Sequence, residues 1–236
     1  MTVTVGVVVF PGTNCEQDVA EAVGRLGATS QVLWHGDATT AGVDAVVVPG
    51  GFAHGDYLRP GAIARFSPVM GAVQTFAAAG GPVVGICNGF QVLTEAGLLP
   101  GALKKNDGLK FVCAPTRLRV ETSASVLTGR VDAGTVLSVP INHFEGNFTC
   151  DDETLAELRG DDRIVLRYLD NPNGSVDDIA GICSAGRNVV GLMPHPERAS
   201  HPLLGSTDGA VLLAGLLAAA DERRTGVRTS RQGASF

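Results

Sequence analysis

The chain has 236 residues, a net charge of −6 and an apolar fraction of 44%. That length suits one large domain with a sizeable core, and the acidic balance argues against a nucleic-acid surface. Five scattered cysteines, with no Cys-x-x-Cys pair, argue for free thiols in a reducing compartment and against a zinc site.

The first residues carry no basic segment of the signal-peptide kind, and the longest apolar stretch, Ala210 to Ala220, is too short to span a bilayer. A cytoplasmic protein with no membrane and no nucleic-acid partner is the expectation. Val3–Phe10 reads as a first buried strand, broken at Pro11-Gly12, with Thr13 or Asn14 placed to cap a helix from Cys15 to Leu26. Gln31–Trp34 and Ala45–Val48 are further strands, the latter ending in Pro49-Gly50-Gly51. A glycine-rich loop, Phe52 to Gly61, leads into a helix expected over Ala62–Ala79. Pro82–Ile86 is another buried strand, and helical spacing follows in Phe90, Leu93 and Ala96 until Gly97.

From Leu109 the pattern shifts to shorter strands: Phe111–Cys113, Leu118–Val120, Val136–Val139 and Ile164–Tyr168. A short helix is expected over Asp151–Leu158, a turn at Asn171–Gly174, a strand over Asn188–Met193 and a last helix over Thr207–Glu222. Strands alternating with helices predict an α/β fold, a doubly wound and mostly parallel sheet flanked by helices, with a small extra β region in the C-terminal half. In such folds the site lies at the carboxyl ends of the strands. Residues 1–225 are expected to form a single domain, and the small, polar and basic residues 226–236 a disordered tail.

Cys87 lies between a strand end and a helix start, within Gly85-Ile86-Cys87-Asn88-Gly89. This is the glycine-bracketed nucleophile elbow, with cysteine where other hydrolases place serine. A helix N-terminus favours the attacking thiolate, and the Asn88 N–H is directed toward any oxyanion formed there. A cysteine in an apolar strand is ordinarily inert, so a base must come from elsewhere. Two His-x-Glu pairs offer one, Pro194-His195-Pro196-Glu197 and His143-Phe144-Glu145. Prolines hold the first pair extended, so that Glu197 and His195 share one side. Spacing alone does not choose between the pairs; the proline frame favours His195.

The elbow together with Pro194–Glu197 resembles the class I (triad) glutamine amidotransferases. Within them, Gly50–Ala64, Lys105–Phe111, Asn173–Gly181 and Pro196–Ala199 are similar to the glutaminase subunits of phosphoribosylformylglycinamidine synthases, from purine biosynthesis. The resemblance runs from Val3 to about Ala219. It implies a flavodoxin-like core and a glutaminase in which Cys87 is nucleophile, His195 base and acid, and Glu197 its orienter. It further implies Gly51 and Asn88 N–H groups at the oxyanion, and substrate contacts from Gln91, Asn142, His143 and Phe144. The family mostly reads Ala-His-Gly-Glu-Gly where this chain has Asn142–Gly146, Ser-Tyr at Ala53-His54, and often arginine at Ala114.

The chain has no G-x-x-x-x-G-K-[ST] loop. The resemblance therefore places ATP, magnesium and formylglycinamide ribonucleotide on a large synthetase subunit, accompanied by a small third subunit, and leaves this chain without a cofactor. Two other readings remain open: the same glutaminase serving another acceptor synthase, or a non-catalytic regulatory subunit.

Overall fold

A computed structural model describes residues 2–40 and 42–226. In chain order its strands and helices begin with β1 (Thr4–Val9), α1 (Glu16–Arg25), β2 (Thr29–Trp34), β3 (Ala45–Val48), α2 (Pro68–Ala78), β4 (Val83–Ile86) and α3 (Asn88–Glu95). There follow β5 (Ala102–Lys104), β6 (Val112–Val120), β7 (Val136–His143), β8 (Asn147–Thr149), α4 (Asp152–Gly160) and β9 (Ile164–Tyr168). The last are β10 (Ile179–Cys183), β11 (Val189–Leu192) and α5 (Asp208–Thr225). Nine strands form one sheet in the order β2-β1-β3-β4-β11-β10-β9-β6-β7.

From β2 to β11 every neighbouring pair is parallel. β3, β4 and β11 are buried at every residue, as helices on both faces require, and hence their uninterrupted apolar sequences. Beyond β11 the pairs are antiparallel. The C-terminal β region thus continues the same sheet, and β5 with β8 forms a separate two-stranded ribbon.

Several boundaries depart from expectation for local reasons. Neither Thr13 nor Asn14 caps α1: Thr13 Oγ1 accepts the Phe10 N–H and Asn14 Oδ1 accepts the Cys15 thiol. The amides at this turn, Asn14 N and Cys15 N, instead donate to the Gly50 carbonyl. The helix expected over Ala62–Ala79 is divided into a 3-10 turn, Ala64–Phe66, and α2, with Ser67 extended between them. Pro68 is the cause, since the residue before a proline is driven out of helical geometry and proline itself suits a first helical position.

In the antiparallel half the strands expected over Phe111–Cys113 and Leu118–Val120 are one, and that expected over Val136–Val139 extends to His143. β6 runs unbroken through Pro115 and β7 through Pro140, which face each other in register; the Pro140 carbonyl points away from β6 and accepts the His195 N–H, so this rung calls for no proline N–H. β10 has no apolar alternation to announce it; Ile179-Ala180-Gly181-Ile182-Cys183 is wholly buried and joins the parallel to the antiparallel half. The expected disordered tail, Gly226 apart, lies outside the described residues.

α3 is seated directly on the sheet. A Cβ on Gly89 would lie 1.8 Å from the Val48 carbonyl oxygen, and one on Gly85 2.6 Å from the Gly89 oxygen. No side chain fits in either place. Gly89→Ala should therefore destabilise the chain by about 3 kcal/mol, the upper range for overpacking. Gly24→Ala, on the open face of α1 with nothing within 4 Å of the new Cβ, should stabilise it by about 0.5–1 kcal/mol. Urea unfolding of both variants measures this; equal midpoints would contradict the close approach of α3.

Candidate active site

Four adjacent parallel strands, β1, β3, β4 and β11, point their carboxyl ends the same way. Each delivers one residue to a common cavity of about 370 Å³: Cys15, Gly51, Cys87 and His195. Cys87 sits between β4 and α3 with φ +51° and ψ −108°, a backbone geometry rare for any residue with a side chain. It is held there by the Leu192 carbonyl, which accepts its N–H, and by the close contact of Gly89 beneath it. The residue is 6% exposed, and Sγ donates to the Asn142 carbonyl oxygen at 3.7 Å.

His195 Nδ1 and Glu197 Oε1 are 2.5 Å apart, and both residues are 1% exposed. The pair is not set by extended backbone, as the proline pattern suggested. His195 is followed at once by a 3-10 turn, Pro196–Ala199, which folds Glu197 back under the ring. The His195 N–H donates to the Pro140 carbonyl, and Ser200 Oγ donates to the Glu197 carbonyl. Burial works against a charge on His195, but the Glu197 carboxylate and the sulfurs of Cys87 and Cys15 outweigh it and hold the imidazole well above its usual range. His195 Nε2 is buried and has no hydrogen-bond partner among the described residues.

The rival pair is not a pair. His143 Nδ1 lies 3.1 Å from Asn106 Oδ1, and Nε2 lies 3.5 Å from Asn173 Nδ2. An amide oxygen on one nitrogen and an amide N–H on the other fix a neutral tautomer. Burial first, and then the charge of His195, lower this imidazole to about 4. Glu145 contributes a backbone carbonyl that accepts from Gln91 Nε2 at 2.5 Å.

Gly51 and Thr13 form an antiparallel bridge whose hydrogen bonds come from the flanking residues, Asn14 N to Gly50 O and Phe52 N to Gly12 O. In that arrangement Gly51's own N–H turns away from Thr13. The Asn88 side chain is engaged on every side: Oδ1 accepts the Ala53 N–H at 3.0 Å, and Nδ2 donates to Asp56 Oδ1 at 3.1 Å and to Gln91 Oε1 at 2.8 Å. It thereby ties the loop after Gly51 to the nucleophile's helix. Asn142, His143 and Phe144 line the cavity together with Gln91.

Sequence reasoning missed three contributors. Cys15 was read only as one of five free thiols and the start of a helix; yet it is buried beside His195, with Arg198 Nη2 at 3.2 Å from its sulfur. Its signal was available, since it occupies after β1 the same strand–turn–helix position that Cys87 occupies after β4. Asp56 was seen only as part of a loop. Burial, partly opposed by the Asn88 bond and aided by the charge of Glu145, pushes its carboxyl up to about 6. Asn106, which donates to the carbonyls of Lys110 and His143, organises the rear of the site.

A family model described as the CobB/CobQ-like glutamine amidotransferase domain matches residues 2–209. The chain belongs to this family. The phosphoribosylformylglycinamidine synthase subunit PurQ of Rubrobacter xylanophilus is 61% identical over 216 residues, covering 92% of this chain and 98% of that one. The subunit of the same name from Koribacter versatilis is 54% identical over 228 residues, covering 92% and 99%. A chain in the structure of PurLQS from Thermotoga maritima superposes with a TM-score of 0.85 at 38% identity, covering 92% of this chain and 98% of that chain. This glutamine amidotransferase is accordingly an enzyme of α/β fold with a mixed nine-stranded sheet. Among the described residues no helix is long and apolar enough to cross a membrane.

The amide cage around His143 has a measurable consequence. Ring-nitrogen NMR shifts should show His143 neutral down to about pH 4; a midpoint near 6.5 would contradict the cage. Because the folded value lies below the unfolded one, this histidine's contribution is complete above about pH 6.5. It is lost as pH falls through about 4, a change of about 3 kcal/mol in the destabilising direction.

Proposed function

We propose that this chain is the glutaminase of a phosphoribosylformylglycinamidine synthase, hydrolysing glutamine to glutamate and ammonia through Cys87, His195 and Glu197. The observation that carries the reading is the buried His195–Glu197 contact with His195 Nε2 left open in the cavity that Cys87 lines. Residues 1–225 would act as one catalytic unit.

The chemistry follows from the geometry. His195 Nε2 takes the Cys87 proton, and the Glu197 carboxylate on Nδ1 stabilises the imidazolium so formed. The thiolate adds to the side-chain amide carbon of glutamine. The N–H groups of Asn88, at the start of α3, and of Gly51, turned away from Thr13, receive the oxyanion. His195 returns its proton to the departing ammonia, then activates the water that hydrolyses the thioester. Gln91 and the Asn142–Phe144 segment, on the same cavity wall, hold the rest of the substrate.

The relatives named as PurQ, and the neighbour within PurLQS, support a destination for the ammonia: a large synthetase subunit that uses ATP and magnesium to convert formylglycinamide ribonucleotide to formylglycinamidine ribonucleotide, with a small third subunit in the assembly. Phe52, Tyr57 and Leu58 are apolar and exposed on the loop that follows Gly51, which suits a partner docking where it can adjust that loop. The isolated chain should then be a slow glutaminase.

Three assays test this. His195→Ala should lower kcat for glutamine hydrolysis by about a hundredfold or more, whereas His143→Ala should act mainly on KM; the reverse pattern would overturn the assignment. A Cys87→Ala chain combined with the synthetase should keep making product from ammonium while losing the glutamine-dependent reaction. Adding the synthetase and its substrates to the unaltered chain should raise glutamine hydrolysis, and full activity of the chain alone would end the gating idea.

A further inference from the structure

Asp56 takes no part in the chemistry above, yet it lines the cavity that Cys87 and His195 share. Its Oδ1 accepts from Asn88 Nδ2 at 3.1 Å. Among the described residues Oδ2 has no donor, and it is not one of their sealed, unpartnered polar atoms, so it is free to receive one from the cavity. Building on the glutaminase reading, we infer that Asp56 anchors the α-ammonium group of the substrate glutamine, so that the enzyme selects amides carrying an α-amino group.

The charges around the cavity leave this acid to a cation from outside the chain. Three long basic side chains share the lining, those of Arg59, Lys105 and Arg198. Arg59 is bound to both oxygens of Glu95, at 2.5 and 2.7 Å. Arg198 is taken by Asp18 Oδ2 and Cys15 Sγ, each at 3.2 Å. Lys105 Nζ lies 5.9 Å from the centre of the Phe144 ring. The charge that does act on Asp56 is negative: burial first, and Glu145 with it, push the carboxyl up to about 6 against the Asn88 bond. A half-buried carboxylate with another nearby and no counter-charge is stabilised by an entering cation, and an ammonium group brings three donors.

The location suits the amino end of the substrate. Asn88 follows the nucleophile directly, and Asp56 is reached across the Asn88 side chain, one side chain removed from the reacting centre. The α-nitrogen of glutamine is four covalent bonds from its amide carbon, about 5 Å. The carboxamides of Asn88 and Gln91 bond to each other, and Gln91 to the Glu145 carbonyl; both are uncharged. Of the two acids in the lining, Asp56 has its carboxylate held in a set direction by Asn88, whereas Glu145 is braced through its backbone.

The test compares two substrates on the full chain assembled with the synthetase: glutamine, and glutaramic acid, the same molecule without its α-amino group. The unaltered enzyme should prefer glutamine in kcat/KM by about tenfold to a hundredfold, the range of one hydrogen bond to a charged group. Asp56→Asn keeps an oxygen for Asn88 Nδ2 and removes the charge. It should slow glutamine by that factor and leave glutaramic acid unchanged, so that the preference is lost. Equal kcat/KM for the two substrates in the unaltered enzyme overturns the anchor, and this comparison needs no variant. A preference that survives Asp56→Asn, or an equal slowing of both substrates, also overturns it and leaves Asp56 a support for Asn88. Absence of glutamine hydrolysis by the unaltered assembly would overturn the glutaminase reading itself, and the anchor with it.

Discussion

The site depends on a backbone contact in which no side chain takes part: Gly89 of α3 against the carbonyl of Val48 at the end of β3. With no room for a Cβ, the helix settles one layer closer to the sheet than side-chain packing would allow. The chain must therefore turn abruptly between β4 and α3, and Cys87, at the turn, is forced to positive φ. The strain of that conformation is held by the hydrogen bond from Cys87 N to Leu192 and by the packing of Phe90 and Leu93, which are fully buried. Nucleophile geometry is thus a product of how tightly one helix sits on one strand.

The parallel half of the fold was legible because its strands are buried on both faces. Ala45–Val48 falls where its apolar run places it. The antiparallel half was harder to read for the opposite reason. Pro115 and Pro140 look like strand breakers in a one-dimensional sequence, yet they share a rung of β6 and β7 whose Pro140 carbonyl turns outward to the His195 N–H, where no proline N–H is called for. Likewise, Thr13 and Asn14 have the chemistry of helix caps, but the Gly50 carbonyl, 35 residues from Cys15, reached the turn's amides first.

The same distinction runs through the site. Cys87 and the His195–Glu197 pair could be found because each is marked by its immediate neighbours, glycines in one case and prolines in the other. The choice between His195 and His143 could not be made from spacing; it is made by Asn106 and Asn173, which come from separate loops and meet only around the folded His143 ring. Cys15 carries the same strand–turn–helix placement as Cys87, but its neighbours His195 and Arg198 lie about 180 residues away in sequence and meet it only in the folded chain.

Asn88 couples two motions that enzymes often keep apart. Loops at the mouths of active sites open to admit substrate, commonly on microsecond to millisecond timescales. Here the loop from Ala53 to Asp56 can lift only by releasing the carboxamide of the residue bonded directly to the nucleophile, which also positions Gln91. Displacement of that loop and misplacement of Gln91 are therefore linked through a single carboxamide, one residue from the nucleophile.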